Sequence, residues 1–441
     1  MKIQLPEKVN QIIQTLQAHG YEAYAVGGCV RDSILNRNPD DWDITTSATP
    51  LETKALFART FDTGIEHGTI TVLLDKDAFE VTTYRVDGAY MDNRHPSEVT
   101  FTRSLKEDLL RRDFTINAMA YNDKEGLVDI FGGMEDLENR RIRCVGTAKE
   151  RFSEDALRIL RAIRFAAQLG FEIEEETKEG IRELAPNLAS ISAERIQVEL
   201  IKTVVSKNPS MLRMAYELGI TKVILPEFDA MMKTEQETPH HRYSVGEHTL
   251  KAMENIPADK VLRLAMLFHD IAKPIMKTMD ENGRAHFKMH DVKGVEMTKE
   301  ILKRLKFDND TLNKVTKLVQ YHDYRMPAEP QNVRRAMNKI GVELFPYYLE
   351  VRKADTSAQS EYQQEEKLQN IQEIEICYRE ILEKQECVSL KTLAITGNDL
   401  ISAGMEPGKA IGEMLEWLLE LVIEHPEYNT KEKLLELKNQ K

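Results

Sequence analysis

The chain has 441 residues, of which 41% are hydrophobic, and a formal net charge of −13. That length is too great for one core and calls for roughly two to four domains. The acidic balance excludes a protein that coats nucleic acid by bulk charge. A local basic groove is still allowed, because a site feels charges within a Debye length of roughly 10 Å.

No apolar run reaches the length of a membrane span, and the start MKIQLPEKVNQIIQTL has no apolar signal core. Cys29, Cys144, Cys377 and Cys387 show neither metal-ligand spacing nor a disulfide framework, which suits a reducing cytoplasm. A cytoplasmic protein with no membrane partner is therefore expected.

Val9, Ile12, Ile13 and Leu16 recur at helical spacing and Gly20 stops that helix. YEAYAV reads as a strand running into Gly27-Gly28. TITVLL (69–74) and FEVTTYR (79–85) are strands by their β-branched and aromatic content, with Asp75-Lys76-Asp77 as the hairpin turn between them. After residue 104 strand signals thin out. From Ser153 the pattern is helical: EDALRILRAIRFAAQLG, AERIQVELIKTVV, PSMLRMAYELG. The polar stretch TEQETPHHRYSVG reads as a boundary, and from Gln363 the chain is charged and helical. The expectation is an α+β protein: a small N-terminal sheet domain followed by an elongated all-helical body. Its divisions are 1–140, 141–235, 236–362 and 363–441.

The stretch GGCVRDSILNRNPDDWDIT (27–45) carries the chemistry of the first division. On a strand, residues two apart share a face, so Asp41 and Asp43 project together. Parallel carboxylates repel unless a cation sits between them, and a few hard oxygen ligands suit Mg²⁺ that completes its shell from substrate phosphates. Gly28 and its neighbour let the backbone approach a triphosphate closely, and Arg31 can clamp the same phosphates. The chemistry indicated is phosphoryl or nucleotidyl transfer.

Gly27-Gly28-Cys29-Val30-Arg31-Asp32 followed by Asp41-Trp42-Asp43 resembles the first motif of class II tRNA nucleotidyltransferases and bacterial poly(A) polymerases. Arg111-Arg112-Asp113-Phe114-Thr115-Ile116-Asn117-Ala118 is similar to that family's ribose-reading motif, and Glu154-Asp155-Ala156-Leu157-Arg158 to its base-reading motif. The likeness extends through Ala193-Glu194-Arg195-Ile196 and Leu225-Pro226-Glu227. The resemblance implies a polymerase-β-like head in which Asp41 and Asp43 hold Mg²⁺, activating a 3′-hydroxyl and steadying the pyrophosphate. Arg112, Asp113 and Asn117 would contact the ribose; the alternative for Asp113 is a cap on the helix beginning at Phe114. Arg161 and Arg164 would reach the triphosphate. Polymerases of this kind often use a third carboxylate; Glu80 is the nearest candidate, but a solvent-facing strand glutamate is the preferred reading for it.

Asp155 and Arg158 lie three apart, so a continuous helix places them on one face. A carboxylate only accepts hydrogen bonds and a guanidinium only donates them. Cytosine and adenine each present an amino donor beside an acceptor and match that pair. Uracil and guanine present the reverse and clash, at roughly 1–3 kcal/mol per buried mismatch. Side chains alone would then select C and A, with Glu154 fixing the pair. The competing reading is an ordinary salt bridge on a solvated helix.

The stretch 64–72, GIEHGTITV, resembles the CCA-adding branch, and the intact loop RVDGAYMDNRHP (85–96), which in that branch helps switch the site from C to A, implies a full CCA enzyme or an A-adding one. The chain departs from the family at Arg94-His95-Pro96, where Arg-Arg-Pro is usual, which weakens what the loop says about switching from C to A. The implied partners are tRNA, ATP and CTP. The alternatives are an A-adding enzyme or a poly(A) polymerase.

A second constellation, His248, His269-Asp270, His290, His322 and Asp355, follows in order. It resembles metal-dependent HD phosphohydrolase domains, which some bacterial CCA enzymes carry. Imidazoles with carboxylates suit a divalent metal, and His286 is a possible extra ligand. The resemblance implies hydrolysis of 2′,3′-cyclic phosphates or 2′-nucleotides at damaged RNA ends, and a chain that is mainly such a phosphohydrolase is the remaining alternative.

Overall fold

The computed structural model describes residues 2–88 and 99–440. They form two compact units, Met1–Pro226 and Glu227–Lys441.

The first unit is built on a sheet whose strands are β1 Ala23–Val26, β2 Ile44–Thr46, β3 Thr60–Gly64, β4 Thr69–Leu74 and β5 Asp77–Thr83, with β8 Met119–Asn122 and β9 Gly126–Asp129. A separate pair, β6 Arg85–Asp87 and β7 Val99–Phe101, lies between them in sequence. The sheet order is β3-β4-β5-β2-β1-β8-β9. All neighbours are antiparallel except β2 and β5, where Ile44 aligns with Val81. TITVLL is a strand over the expected residues, and Leu74 pairs with Asp77 across a tight turn in which Asp75 adopts φ 57°.

Strand signals thin out after residue 104, and β8 and β9 are the strands of this sheet that follow. MAYN is buried on every side chain between β1 and β9, so it lacks the alternation that marks a half-exposed strand. The loop 85–96 falls largely on residues 89–98 and lies outside the described residues, with Arg94-His95-Pro96.

The opening helix Glu7–Ala18 buries Val9, Ile12, Ile13 and Leu16 and gives way at Gly20, φ 85°. Behind the sheet, Tyr24, Val26, Tyr84, Leu109, Ala118, Ala120 and Val145 form one core cluster. The rest of this unit is helical. Helix Leu157–Leu169 packs on helix Ala193–Val204. Helices Ala148–Glu154 and Glu175–Leu184 approach at Gly180, where a Cβ would sit 2.9 Å from Ala148 Cβ.

The second unit is helical among its described residues apart from a two-strand ribbon, Thr278–Met279 with Ala285–His286. Helices Val245–Glu254, Lys260–Phe268, His290–Arg304, Asn309–Tyr321 and Phe345–Ala358 pack together, and the long helix Gln364–Glu383 lies against the last of these. A terminal apolar cluster around Leu400, Leu418, Val422 and Leu434 closes the unit. No helix among the described residues is long and apolar enough to cross a membrane.

Candidate functional site

β1 ends at Val26, and Gly27, at φ 82°, turns the chain directly into helix Gly28–Ile34. A Cβ at Gly27 would lie 3.0 Å from Arg112 Nη1, so the turn is both conformationally and sterically suited to glycine. Cys29 and Val30 are buried and pin the turn. The Asp43 carbonyl accepts a 3.0 Å hydrogen bond from Val26 N–H, which fixes the segment leading into β2 against β1.

Asp41 and Asp43 therefore stand just ahead of β2, not within it as the spacing argument expects. Both side chains still line one cleft of 540 Å³. Among the described residues neither carboxylate has a hydrogen-bond or ion-pair partner. Burial pushes the Asp43 carboxyl up; Arg112 opposes that shift and Asp41 adds to it. Two unpaired, mutually repelling carboxylates are a donor set that a divalent cation fits. Glu80 is exposed on β5, the strand beside β2, and lines a recess with Asp43, Arg111 and Arg112.

The same cleft takes Arg112, Asp113, Asn117, Asp155, Arg158, Arg161 and Arg164 into its walls. Asp113 is buried and accepts from Phe114 N–H at 2.8 Å, Asn117 Nδ2 at 3.1 Å and Arg161 Nε at 2.7 Å. Burial alone would raise its carboxyl; Arg161 and Asn117 overcome that and hold it at about 2. Asp113 thus ties the short turn Thr115–Asn117, which stands where a helix beginning at Phe114 was the alternative, to a cleft arginine. Arg31 donates to Asn117 Oδ1 at 2.6 Å and to both Asp32 oxygens, so it props the ribose motif as well as facing the cleft. Arg112 is steadied by buried Asp108 at 3.5 Å.

Arg31, Arg161 and Arg164 gather around the Phe165 ring at 5.0, 5.3 and 4.3 Å from its centroid. Burial and the Arg161 charge bring Arg164 down to about 10, with Glu199 at 3.2 Å as its counter-ion. Phe165, Arg195 and Lys202 also line the cleft. Sequence reasoning missed them. Phe165 reads as one more apolar residue of its helix, while Arg195 carried a signal in the AERI stretch.

The base-reading pair needs correction. Asp155 is extended, φ −138° and ψ 103°, at the joint between helices Ala148–Glu154 and Leu157–Leu169. The pair does not lie on one continuous helix. Asp155 Oδ1 accepts Leu157 N–H at 3.0 Å and Oδ2 meets Arg195 Nη2 at 2.8 Å. Arg158 bonds Glu154 at 2.6 Å and the carbonyls of Arg151 and Arg111 at 3.1 and 3.0 Å. Glu154 fixes Arg158 as expected, Arg195 fixes Asp155, and both side chains line the cleft.

Comparison with known proteins matches the Poly A polymerase head domain over residues 23–143, the RNA- and SrmB-binding site of polymerase A over 170–232, and tRNA nucleotidyltransferase domain 2 over 287–437. The CCA-adding enzyme of Enterococcus faecalis is 37% identical over 431 residues, 96% of this chain and 93% of that one. This chain belongs to the class II CCA-adding enzyme family. The CCA-adding enzyme of Lactiplantibacillus plantarum is 53% identical over 209 residues, about half of each chain (47% and 51%). The crystal structure of Bacillus stearothermophilus CCA-adding enzyme in complex with CTP superposes with a TM-score of 0.75 at 29% identity, covering 99% of this chain and 98% of that one. As a family member the chain is a tRNA nucleotidyltransferase, and the expected α+β head and helical body are its fold.

Within the second unit of this family member the expected histidines converge. His248 lies on helix Val245–Glu254, His269 and Asp270 end helix Lys260–Phe268, and His290 opens helix His290–Arg304. His322 ends helix Asn309–Tyr321, and Asp355 comes from helix Phe345–Ala358. Each imidazole is held through Nδ1 by a backbone carbonyl: His248 by Ala358 at 3.4 Å, His269 by Met266 at 2.7 Å, His290 by Phe287 at 2.7 Å and His322 by Val319 at 2.6 Å. That tether sets the tautomer and turns Nε2 inward.

His269 Nε2 and both Asp270 oxygens are buried without a hydrogen-bond partner. Burial works against the Asp270 charge, yet His269 and Lys273 hold its carboxyl well below the usual range. The donor set fits a divalent cation. His286 pairs with Asp280 at 3.0 Å and lines the same cleft as His290, outside the two close donor groups His248–His269–Asp270 and Asp270–His290–His322. His241, which sequence reasoning passed over, packs edge-on against His248 at 4.8 Å between ring centres. A 640 Å³ cleft reaches His290 and is lined by Lys273, Arg284, Lys288, Arg325, Phe287 and Tyr324.

Proposed function

We propose that the chain adds C, C and A in turn to the 3′ end of tRNA from CTP and ATP, with no nucleic-acid template. The observation that carries this reading is one cleft lined by Asp41 and Asp43, by Arg112, Asp113 and Asn117, and by Asp155 and Arg158. The likeness to a CCA-adding enzyme in complex with CTP supports it.

The Gly27-Gly28 backbone and Arg161 and Arg164 receive the triphosphate. Asp113 and Asn117 face the ribose hydroxyls. Asp155 accepts the amino group of cytosine or adenine, and Arg158 donates to the acceptor beside it. The tRNA 3′-oxygen attacks the α-phosphorus, the α–β phosphoanhydride bond breaks, and pyrophosphate leaves. Asp41 and Asp43 would hold a divalent cation, Mg²⁺ by the hardness of the donors, which would supply Lewis-acid polarisation of that phosphate.

We assign residues 1–140 to catalysis, 141–235 to base reading and RNA binding, 236–362 to the histidine cluster and 363–441 to a helical tail. The matched stretches 23–143 and 170–232 support the first two assignments. Cytoplasmic residence is supported by four free, buried cysteines.

The test is a tRNA transcript ending at its discriminator base, incubated with four NTPs and Mg²⁺ and sequenced at the 3′ end. Ends that read CCA and stop are expected, and the Asp41→Ala, Asp43→Ala double variant should extend nothing. Long A tails, or a lone A placed only on CC-ended tRNA, would overturn the reading.

A second activity is favoured by the inward-facing imidazoles and the basic cleft beside them. We propose a divalent-cation site there that hydrolyses phosphate esters at RNA ends, 2′,3′-cyclic phosphates or 2′-phosphates. RNA ending in a 2′,3′-cyclic phosphate should be opened by the Asp41→Ala, Asp43→Ala variant and left intact when His269→Ala is added.

A further inference from the structure

Phe165 sits on helix Leu157–Leu169, buried yet part of the cleft wall. Its ring stands at 83° to the Phe114 ring with 5.8 Å between centres, so the ribose-reading segment braces it. Arg161 and Arg164 reach the ring from its own helix and Arg31 from helix Gly28–Ile34, at 5.3, 4.3 and 5.0 Å from the centroid. Each guanidinium has a carboxylate of its own: Asp32 at 2.8 Å from Arg31, Asp113 at 2.6 Å from Arg161 and Glu199 at 3.2 Å from Arg164. The ring is the group that all three arginines share.

Like charges gathered this closely repel, and burial followed by the Arg161 charge brings Arg164 down. An aliphatic side chain at position 165 would leave that repulsion standing. A further carboxylate would relieve it, but would consume N–H donors and cancel charge that an anion needs. An aromatic ring attracts a cation through its quadrupole and carries no net charge. Donors therefore remain. Arg164 is 7% exposed, and its Nε–H has no hydrogen-bond partner. A buried donor on a cleft wall is satisfied when an acceptor oxygen enters, and a phosphate chain supplies such oxygens.

We propose that Phe165 is a positioning residue for the nucleotide triphosphate. Its ring gathers the Arg31, Arg161 and Arg164 guanidinium groups at one wall of the cleft without taking their N–H donors, which stay available to the phosphate oxygens. This rests on the triphosphate reading of the cleft arginines and names the group that keeps them together.

The test places mono-, di- and trifluorinated phenylalanine at position 165 of the full chain. Each fluorine weakens the ring quadrupole and nearly keeps the ring's shape, so packing is held while the attraction for cations falls. Equilibrium binding of CTP and of CMP is measured for each protein, with kcat and KM for CTP addition to tRNA. Kd and KM for CTP should climb stepwise to roughly 5- to 30-fold, while kcat and the Kd for CMP stay within about 2-fold. Phe165→Leu, which has no ring, should reach the same range for CTP. Arg164→Ala should weaken CTP and spare CMP. If it does so while the fluorinated series is flat, the role of the ring is overturned and the triphosphate reading stands. If Arg164→Ala spares CTP, or if CTP and CMP weaken together along the series, the arginines do not serve the triphosphate and both readings fall.

Discussion

Replacing Asp155 by Asn tests whether side chains serve as the template. The substitution keeps size and shape but makes one of the two acceptor atoms an amide donor. In the wild-type chain Oδ1 takes Leu157 N–H at 3.0 Å and Oδ2 takes Arg195 at 2.8 Å, leaving further lone pairs of a fixed carboxylate for the base amino group. In Asp155→Asn one of those two anchors becomes a donor facing a donor, and the edge shown to the base no longer refuses a carbonyl. One hydrogen-bond mismatch of roughly 1–3 kcal/mol disappears from discrimination against U and G. The ratio of kcat/KM for CTP over UTP should fall by roughly 5- to 150-fold, through loss on CTP as much as gain on UTP. The assay is single-nucleotide addition to a tRNA ending at its discriminator base. Arg195→Ala, which frees the carboxylate without altering it, should lower the same ratio by a smaller factor. An unchanged ratio in a folded Asp155→Asn enzyme would refute base reading by this residue.

Asp113 gives a pH signature. Its carboxyl is held at about 2 against an ordinary 3.8, chiefly by Arg161 and Asn117 acting against burial, so it adds stability of about 2–3 kcal/mol. That stability is fully present above pH about 4 and is lost as pH falls towards 2. Urea unfolding of the first unit, followed by Trp42 in a Trp417→Phe background, should show Asp113→Asn weaker at pH 7 and flatter on the acid limb. An Asp113→Asn curve parallel to wild type from pH 7 to 3 would contradict this. Gly133→Ala should destabilise the first unit by about 1–3 kcal/mol, because its Cβ meets the Thr115 carbonyl and the Met119 side chain inside contact distance; a melting temperature equal to wild type would count against the packing. Burial pushes Cys29 up to about 11 and Cys144 up to about 12. Neither should react with a disulfide reagent at pH 8 until the first unit unfolds, and prompt labelling in the native enzyme would show the burial to be wrong.

The catalytic turn was legible because its residues are close in sequence and each has a narrow physical use. Gly27 at positive φ and TITVLL stand as their types and spacing suggest, and Asp41 and Asp43 share a cleft although they lie ahead of β2 and not on it. The histidine cluster was legible as a set, since imidazoles and carboxylates at helix ends and on buried faces have few other uses. What stayed hidden depends on distant contacts. β8 has no alternation because both its faces are covered, and nothing near Phe165 announces that three arginines gather on its ring.

The helix break at Asp155 is the most instructive miss. EDALRILRAIRF has helical periodicity throughout, yet the Asp155 side chain bonds Leu157 N–H, and this local bond competes with helix continuation. An aspartate two residues ahead of a strongly periodic run was the available signal. Its consequence is functional. On one helix the separation of Asp155 and Arg158 would be set by helical geometry. Across a joint it is set by the dihedrals of Asp155 and Ala156 and by two ion pairs, Arg195 on one side and Glu154 on the other. The spacing that the proposed base reading uses to distinguish an amino group from a carbonyl is therefore held by four side chains from three helices and the joint between two of them, so on that proposal substitutions at Glu154 and Arg195 should alter nucleotide choice without touching the nucleotide.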